Sequence, residues 1–421
     1  MSIIPDSNRK SVSDNNIRLT RRLSMFVIFN KLSSIKHGLL KINLGNKSYE
    51  FGNPDDESRL FAEIKVNNLN TFKAILLGGE PAAGKTYIDQ WWETNNLLNV
   101  LRIFIANKDV LFSIDYGIGN ISKYYERIYN FFKRNTQSGS KKNISAHYDI
   151  GNDLYELFLD KSMMYSSAYF THDKQSLEEA SEAKLRMICE KLQLTQQDHV
   201  IEIGTGWGGF AIYAAKNYGC RVTTTTISDE QYRYAYERIK ELHLESSITL
   251  LNQDYRNLTG KFDKLVSIEM IEAVGYEYLD TYFKTCSNLL NPRGAMLIQA
   301  ITMSDQYYKQ YLQSQDFIRK YVFPGGCLPS MSSIINSTSK HTDLNLHSTQ
   351  SIADSYAKTL ELWFERFINQ RNKILELGYP QSLTRLWEYY MKYCQAGFES
   401  KVIDVHQLVF RKPDNRLIEF N

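Results

Sequence analysis

The sequence predicts an α/β protein whose larger part is a doubly wound, mostly parallel sheet, preceded by a smaller amino-terminal domain. Between residues 176 and 300, short apolar runs alternate with stretches of helical periodicity, the pattern of a parallel sheet covered by helices. A glycine-rich turn follows the first apolar run, where such a fold binds ligands. The chain has 421 residues, which is too long for one small domain.

Composition indicates where the domains begin and end. Residues 1–15 are polar and are expected to be disordered. The run KRNTQSGSKKN, from Lys133 to Asn143, is polar and basic and contains glycine and serine, which predicts a linker over 136–143. We therefore expect an amino-terminal accessory domain over 16–135 and the α/β domain over 144–421.

The elements of the α/β domain follow in order. Ser176 and Glu179 have the spacing of a capping box, and apolar residues recur after them at helical intervals. A second helix is predicted over Phe210 to Lys216. Five apolar runs predict strands: His199 to Ile203, Arg221 to Thr226, Ile248 to Leu251, Lys264 to Ile268, and Ala295 to Ala300.

Charge and cysteine content argue against several classes of protein. A net charge of +3 is too small to indicate a nucleic-acid binder. The apolar run from Met25 to Phe29 is far shorter than the roughly 20 residues of a membrane-spanning helix. The five cysteines have no metal-ligand spacing, which predicts a reduced cytoplasmic protein without a metal site.

Cations alternate with apolar residues between Arg18 and Lys41. This pattern predicts either a basic amphipathic helix on an anionic membrane surface or a helix packed on its own domain.

The segment GEPAAGKT, from Gly79 to Thr86, matches the phosphate-binding pattern G-x-x-x-x-G-K-[ST] and follows the apolar run Ala74 to Leu77. Taken alone, this motif indicates a nucleoside triphosphatase. The residues before it lack the alternating strands and helices of the required sheet, and no nearby apolar strand ends in a metal-binding Asp. We therefore interpret the match as incidental.

A second glycine motif, VIEIGTGWGGF, runs from Val200 to Phe210, after a predicted strand and at the start of a helix. Glycines permit a sharp turn and close approach of a ligand, and a helix amino terminus favours an anionic group. The spacing fits S-adenosylmethionine and dinucleotides alike. A dinucleotide site needs an acidic residue about 20 positions later, but the second strand ends in TTTIS without one. A purely structural turn is the third interpretation.

Taken together, several blocks resemble the cyclopropane-fatty-acyl-phospholipid synthase and mycolic acid cyclopropane synthase family. The resemblance is densest from His147 to Phe410 and fainter from Ala62 to Asn107. It also covers GGEPAAGKTYIDQWW, where the family has a glycine-rich segment of its lipid-contacting domain. The blocks are AHYDIGNDLYELFLD, YSSAYF, VIEIGTGWGGFAIYAA, TTTTISDEQ, LVSIEMIEAVG, MLIQAIT, FPGGCLPS and SYAKTLELWFERF.

The resemblance implies a class I, Rossmann-like methyltransferase domain over 144–421 that uses S-adenosylmethionine. By analogy, His147, Asp149 and Asn152 shape a lid over the cofactor, although Asp149 and Asn152 equally fit a capping or turn role. The residues implied to bind the cofactor are Tyr165, Ser166, Gly204, Thr205, Gly206, Trp207, Gly208, Thr226, Ile227, Gln231, Asp254 and Tyr255.

The reaction implied by the resemblance adds the methyl carbon to the double bond of an unsaturated phospholipid acyl chain and closes a cyclopropane. A bound bicarbonate accepts the proton, held by a glutamate, a histidine, a tyrosine and backbone groups near a cysteine. The matching catalytic set is Glu272, Tyr356, Ser167, Gln299 and Ile301. Here the cysteine position is Ser167 and the histidine position is Gln299, and glutamine cannot take up a proton as imidazole does.

These two departures leave the product open between a cyclopropane and a methyl-branched lipid. A methyltransferase of the same fold acting on a small soluble acceptor, and a catalytically silent lipid-binding relative, are the alternatives. The resemblance further implies a cytoplasmic protein bound peripherally to the inner face of the membrane, with unsaturated phospholipid as partner, no nucleic acid, and a homodimer.

Overall fold

The chain forms two compact units. The first comprises the described residues of Met1–Ile128 together with Gln315–Phe317 and Leu375–Ala396, and the second comprises the remainder. The computed structural model describes residues 8–110, 135–137, 139–140 and 151–415, with side chains from residue 20 onward. His147, Asp149 and half of the expected linker, residues 138 and 141–143, lie outside the described residues.

The first unit contains a four-stranded sheet in the order β2-β1-β3-β4, in which β1 pairs antiparallel with β2 and parallel with β3. Its first helix begins at Asn8, inside the segment 1–15 that we expected to be disordered. Its strands are β1 (Leu39–Leu44), β2 (Lys47–Gly52), β3 (Phe61–Val66) and β4 (Trp92–Thr94), and its amino-terminal helices are Asn8–Leu32, Asn70–Ile88 and Leu97–Ala106.

The helix Gln381–Glu399 belongs largely to the first unit, whereas we expected one continuous domain over 144–421. Its Arg385 donates to the Tyr87 backbone oxygen from Nε and Nη2, at 2.9 and 2.7 Å. The Tyr87 hydroxyl donates to Glu388, and the Tyr87 ring packs 5.6 Å from that of Tyr389. Helical periodicity shows which face of a helix is buried but does not show which core covers it.

The phosphate-loop match lies inside a helix rather than in a loop between a strand and a helix. Asn70–Ile88 is kinked at Gly79, with a φ of 59° and Pro81 two residues later. Lys85 forms an ion pair with Asp89, and the Thr86 hydroxyl donates to the Ala82 backbone oxygen at 2.8 Å. These two side chains therefore do not stand at the head of a phosphate-binding loop.

The second unit contains a seven-stranded sheet in the order β10-β11-β9-β8-β5-β6-β7. The five strands from β5 to β9 are mutually parallel, as the alternating pattern predicts. The chain order reverses between β5 and β8, which places the switch point of the sheet at their carboxyl ends. The strands are β5 (His199–Ile203), β6 (Arg221–Thr226), β7 (Ile248–Asn252), β8 (Phe262–Ile268), β9 (Leu290–Met303), β10 (Asn345–Ser351) and β11 (Ile403–Arg411).

Helices cover both faces of this sheet. The helix at Leu177–Lys191 begins with the predicted Ser176 and Glu179 capping box. Successive residues of β5 face opposite sides of the sheet, since Val200 lies in one apolar cluster and Ile201 in another. The longer helices of the unit, besides the short Asn152–Glu156 and Arg371–Glu376, are Leu177–Lys191, Gly209–Tyr218, Asp229–Glu241, Leu279–Leu289, Asp305–Gln313, Met331–His341 and Ala353–Asn369.

Two strands, β10 and β11, extend the sheet antiparallel to their neighbours and were not predicted. Strand β10 reads NLHSTQS and is almost wholly exposed, so it carries no apolar pattern. Of the helices in the described part of the chain, none has the length and hydropathy to cross a membrane.

Candidate active site

The glycine motif forms a tight turn between β5 and the helix Gly209–Tyr218. Gly204, Gly206 and Gly208 all have positive φ, at 102°, 53° and 89°, which glycine adopts without strain. The Gly204 and Thr205 amides both donate to the Thr225 backbone oxygen, which ties the turn to β6. A Cβ on Gly206 would meet no atom within 4 Å, so this glycine faces open space. The turn is therefore shaped for a ligand at Gly206.

A buried hydrogen-bond chain supports the turn from below. The Thr205 and Thr224 hydroxyls lie 2.7 Å apart, and Thr224 donates to Glu202 at 2.6 Å. Burial raises the pKa of Glu202 to about 8. Thr205 therefore holds the turn in place from inside the core.

The end of β6 is organised around Gln231. The Thr226 hydroxyl donates to the side-chain oxygen Oε1 of Gln231 at 2.9 Å. The Ser228 side chain caps the helix Asp229–Glu241 by accepting from the backbone amide of Gln231. Thr226 and Gln231 are buried, while Ile227 between them is half-buried. Thr226 follows Thr225, whose backbone oxygen accepts from the Gly204 and Thr205 amides, so these residues lie beside the glycine turn.

Asp254 and Tyr255, the residues after β7 that are expected to bind the cofactor, contact neighbouring side chains. Arg256 donates to the Asp254 carboxylate from Nε and Nη2, at 2.8 and 2.6 Å. The Tyr255 ring lies 5.5 Å from that of Tyr282, edge to face, and burial raises its pKa. The Asp254 carboxylate is thus engaged by its own neighbour.

Aromatic side chains form a wall around Tyr165. Its ring stacks on Trp363 with centroids 5.4 Å apart and lies 6.5 Å from Phe323. The Trp207 ring is buried against Tyr155 at 4.9 Å, and its Nε1 donates to Asn152 Oδ1 at 2.7 Å. Trp207 therefore supports the site through packing, and Asn152 is fixed by that bond.

Ser166 leads to a buried cation that sequence reasoning missed. Lys184 is fully buried, and its Nζ donates to Ser166 Oγ at 2.8 Å. Burial lowers the pKa of Lys184 to about 8, opposed by the charges of Glu269, Asp160 and Glu202. The available signal was a lysine four residues from both Ala180 and Ile188, on the apolar face of its helix.

The centre of the site is Glu269, which follows the last residue of β8. Its Oε1 accepts from the Ser167 amide at 2.9 Å and from Gln299 Nε2 at 2.7 Å. Its Oε2 accepts from the Tyr356 hydroxyl at 2.7 Å. Burial raises the pKa of this carboxyl, and the three donors oppose that shift. Three of the predicted catalytic residues therefore meet on a glutamate that was not among them.

The orientation of the Gln299 amide follows from a chain of hydrogen bonds. Lys191 has only donors and donates to Gln407 Oε1 at 2.8 Å, so the nitrogen of Gln407 faces away from it. That nitrogen donates to Gln299 Oε1 at 3.0 Å, which turns the nitrogen of Gln299 toward Glu269. Glu269 consequently receives a hydrogen bond from Gln299 and does not donate one.

Glu272 lies in a short 3-10 turn, Ile271–Ala273. Its Oε1 accepts from the Ile301 amide at 2.5 Å, and its Oε2 is buried with no hydrogen-bond partner among the described residues. Burial first, and then the charge of Glu269, raise the pKa of Glu272 to about 8. Glu272 and Ile301 thus pair with each other, and Tyr356 pairs with Glu269.

The fold and the glycine turn at the switch point define a class I, Rossmann-like enzyme that takes S-adenosylmethionine. The solved cyclopropane synthase MmaA2 from Mycobacterium tuberculosis matches with a TM-score of 0.61 and 27% identity, over 65% of this chain and 98% of that one. The mycolic acid cyclopropane synthase CmaA1, solved with SAH and CTAB, matches at 29% identity and a TM-score of 0.61, over 65% of this chain and 98% of that one.

The family model described as Mycolic acid cyclopropane synthetase matches residues 135–408. The cyclopropane-fatty-acyl-phospholipid synthase of Escherichia coli K12 is 38% identical over 83% of this chain and 88% of its own length. The tuberculostearic acid methyltransferase UfaA1 of Mycobacterium tuberculosis is 35% identical over 77% of each chain. The protein therefore belongs to the mycolic acid cyclopropane synthetase family of S-adenosylmethionine-dependent methyltransferases.

Replacing Gly206 by Ala should weaken binding of S-adenosylhomocysteine by about tenfold or more, equivalent to about 1.4 kcal/mol, because the new methyl group enters the open space. Gly45→Ala is the matched control, since Gly45 has a similar φ of 58° and also faces open space. Isothermal titration of both variants measures the affinity. Equal affinities would show that the ligand does not approach Gly206.

Proposed function

We propose that the protein transfers the methyl carbon of S-adenosylmethionine to the double bond of an unsaturated phospholipid acyl chain and closes a cyclopropane ring. The relatives carry this proposal, since the Escherichia coli protein is named for that lipid and that product. The observation that supports it within the chain is the partly buried cluster of two carboxylates, Glu269 and Glu272, and stacked aromatic rings beside the glycine turn.

The residues at the glycine turn fit the cofactor. We propose that Gly204, Thr205, Gly206 and Gly208 bind its amino-acid end, because their backbone borders the open space at Gly206. We propose that two further groups of residues border the cofactor. They are Thr226, Ile227 and Gln231 after β6, and Tyr165, Ser166 and Trp207. Asp254 and Tyr255 would border the adenine, with Asp254 held by Arg256. S-adenosylmethionine supplies an electrophilic methyl group, and its addition to the alkene leaves a carbocation on the neighbouring carbon.

The aromatic wall is suited to a carbocation. Ring faces attract cations, and rings around the site exclude water that would capture one. Tyr165 stacks on Trp363, and Tyr356 stacks on Phe398 with centroids 4.4 Å apart. Tyr356 also meets Trp363 edge to face at 6.2 Å. We propose that this wall shelters the lipid cation until a proton is lost.

The bicarbonate implied by the resemblance does not fit the described site. Its expected donors, the Ser167 amide, the Tyr356 hydroxyl and the side chain at position 299, all bond to Glu269. Glu272 and Ile301 remain in the proposed catalytic set, since they bond to each other and Glu272 lies close enough to Glu269 to feel its charge. No step is therefore assigned to bicarbonate.

A methyl-branched product is the second candidate. It is favoured by Ser167 and Gln299 at the positions where the family pattern has cysteine and histidine, and by the relative named a tuberculostearic acid methyltransferase. Loss of a proton from the same carbocation either closes the cyclopropane or leaves a methyl- or methylene-branched alkene, and a saturated methyl branch would require a hydride donor in addition.

Incubation of the protein with methyl-labelled S-adenosylmethionine and vesicles of unsaturated phospholipid tests both candidates. Mass spectrometry of the fatty acids should show one added methylene unit and loss of the alkene. A retained alkene or a methyl branch would replace the cyclopropane product by the second candidate. Absence of label from lipid despite cofactor binding would contradict the proposal and favour a soluble acceptor or a silent relative.

We also propose peripheral contact with the inner, cytoplasmic face of a membrane, as a homodimer whose two contacts reinforce each other. The helix Asn8–Leu32 buries Ile28 and Leu32 in its own unit but leaves Leu23 and Phe26 exposed by 62% and 68%. Exposed Arg22 lies beside them. Exposed apolar groups next to a cation suit an anionic lipid surface.

Replacing Leu23 and Phe26 together by Ser should reduce binding to anionic vesicles by about tenfold or more, since two large apolar groups no longer enter the lipid. Vesicle flotation measures the bound fraction. The matched control is Tyr236→Ser with Leu242→Ser, which removes exposed apolar residues from the second unit. Equal losses in the two double variants would contradict a membrane contact at Leu23 and Phe26.

A further inference from the structure

Glu269 occupies the position that the family resemblance gives to a bound anion. The groups implied to hold bicarbonate are a tyrosine, a side chain at the histidine position and backbone near a cysteine. Here the Tyr356 hydroxyl, the Gln299 amide and the Ser167 backbone amide all donate to the Glu269 carboxylate. A carboxylate resembles bicarbonate because both are planar, singly negative and able to accept several hydrogen bonds.

We propose that the carboxylate of Glu269 is the built-in proton acceptor of this enzyme and replaces an external bicarbonate. The inference rests on the proposed function, because it assigns the base for the same carbocation. It also gives Ser167 and Gln299 a shared role as donors that hold Glu269.

Two donors fix Glu269 Oε1 as an acceptor and the Tyr356 hydroxyl bonds to Oε2, an arrangement that suits an ionised carboxylate. Each partner donates: the backbone amide has only a hydrogen to offer, and the Lys191–Gln407–Gln299 chain turns the nitrogen of Gln299 toward Glu269. The buried Lys184 supplies a compensating positive charge, since it interacts electrostatically with Glu269. Burial raises the pKa of the same carboxyl, which strengthens it as a base.

Electrostatics disfavours a second anion in this cluster. Glu269 and Glu272 are both partly buried, and the charge of Glu269 already contributes to raising the pKa of Glu272 to about 8. Adding bicarbonate would place another negative charge next to Glu269. The buried lysine that could offset these charges is Lys184, which donates to Ser166. The donors and the charge balance both therefore favour one resident carboxylate.

The backbone of Glu269 is strained in a way typical of functional residues. Its φ is 49°, in the left-handed region that non-glycine residues rarely adopt. The strained turn directs the carboxylate toward Ser167, Gln299 and Tyr356. Glycine at this position would relieve the strain and remove the carboxylate, which makes Glu269→Gly an informative variant.

The proton transfer balances without an external reagent. After methyl addition, a C–H bond of the new methyl group breaks, and its electron pair forms the bond to the cationic carbon that closes the ring. The proton passes to Glu269 Oε2, which accepts one hydrogen bond in the described structure and has a second lone pair. The carboxylic acid returns its proton to solvent after the product leaves.

Activity of Glu269 variants in buffer freed of carbon dioxide tests the assignment, with methyl-labelled cofactor and unsaturated phospholipid vesicles. The unaltered protein should keep full activity without bicarbonate. Glu269→Gln should lose about 100-fold or more of kcat, as expected for a missing general base, with no rescue. Glu269→Gly should lose as much and regain activity with millimolar bicarbonate. Gln193→Gly is the control for the backbone, since Gln193 is exposed and has a φ of 51°.

A bicarbonate requirement of the unaltered protein, or retained kcat in Glu269→Gln, would overturn the assignment. Binding of isotope-labelled bicarbonate, measured by magnetic resonance with S-adenosylhomocysteine present, provides a test independent of turnover. Glu269→Gly should bind it and the unaltered protein should not. The reverse result would overturn the assignment even if the lipid reaction failed, whereas failure of the reaction alone would contradict only the proposed function.

Discussion

The site depends on one partly buried carboxylate that accepts hydrogen bonds from three distant parts of the chain. Glu269 receives them from the segment at Ser167, from Gln299 on β9 and from Tyr356 on the helix Ala353–Asn369. A buried carboxylate without such donors would be costly, so the three segments stabilise each other by meeting there. The charge of the buried Lys184 also favours the ionised form of this carboxyl, after the three hydrogen bonds.

The sequence predicted the framework because that framework follows local rules. Strands β5 and β6 have the predicted bounds, and the capping box at Ser176 is present. The glycine turn between β5 and the next helix was also predicted, because three positive-φ positions require residues that only glycine supplies without strain. The family resemblance then indicated the cofactor class, which the comparisons confirm.

The centre of the site could not be predicted from spacing. The resemblance indicated Glu272 alone, but a left-handed residue at Glu269 and a 3-10 turn at Glu272 send two carboxylates to different partners. Lys184 and Gln407 act through contacts between residues far apart in the chain, which a single sequence does not reveal. The helix Gln381–Glu399 joins the first unit for the same reason, because its partners lie about three hundred residues earlier.

The central question is whether the donors at the centre of the site bind the Glu269 carboxylate or a separate anion. The most direct measurement is a high-resolution crystal structure of the protein with S-adenosylhomocysteine, grown with and without bicarbonate. We expect the Tyr356 hydroxyl, the Ser167 amide and the Gln299 nitrogen on the Glu269 carboxylate in both crystals. Trigonal density of a separate anion on those donors, with the Glu269 side chain turned away from them, would contradict the assignment of Glu269 as the resident proton acceptor.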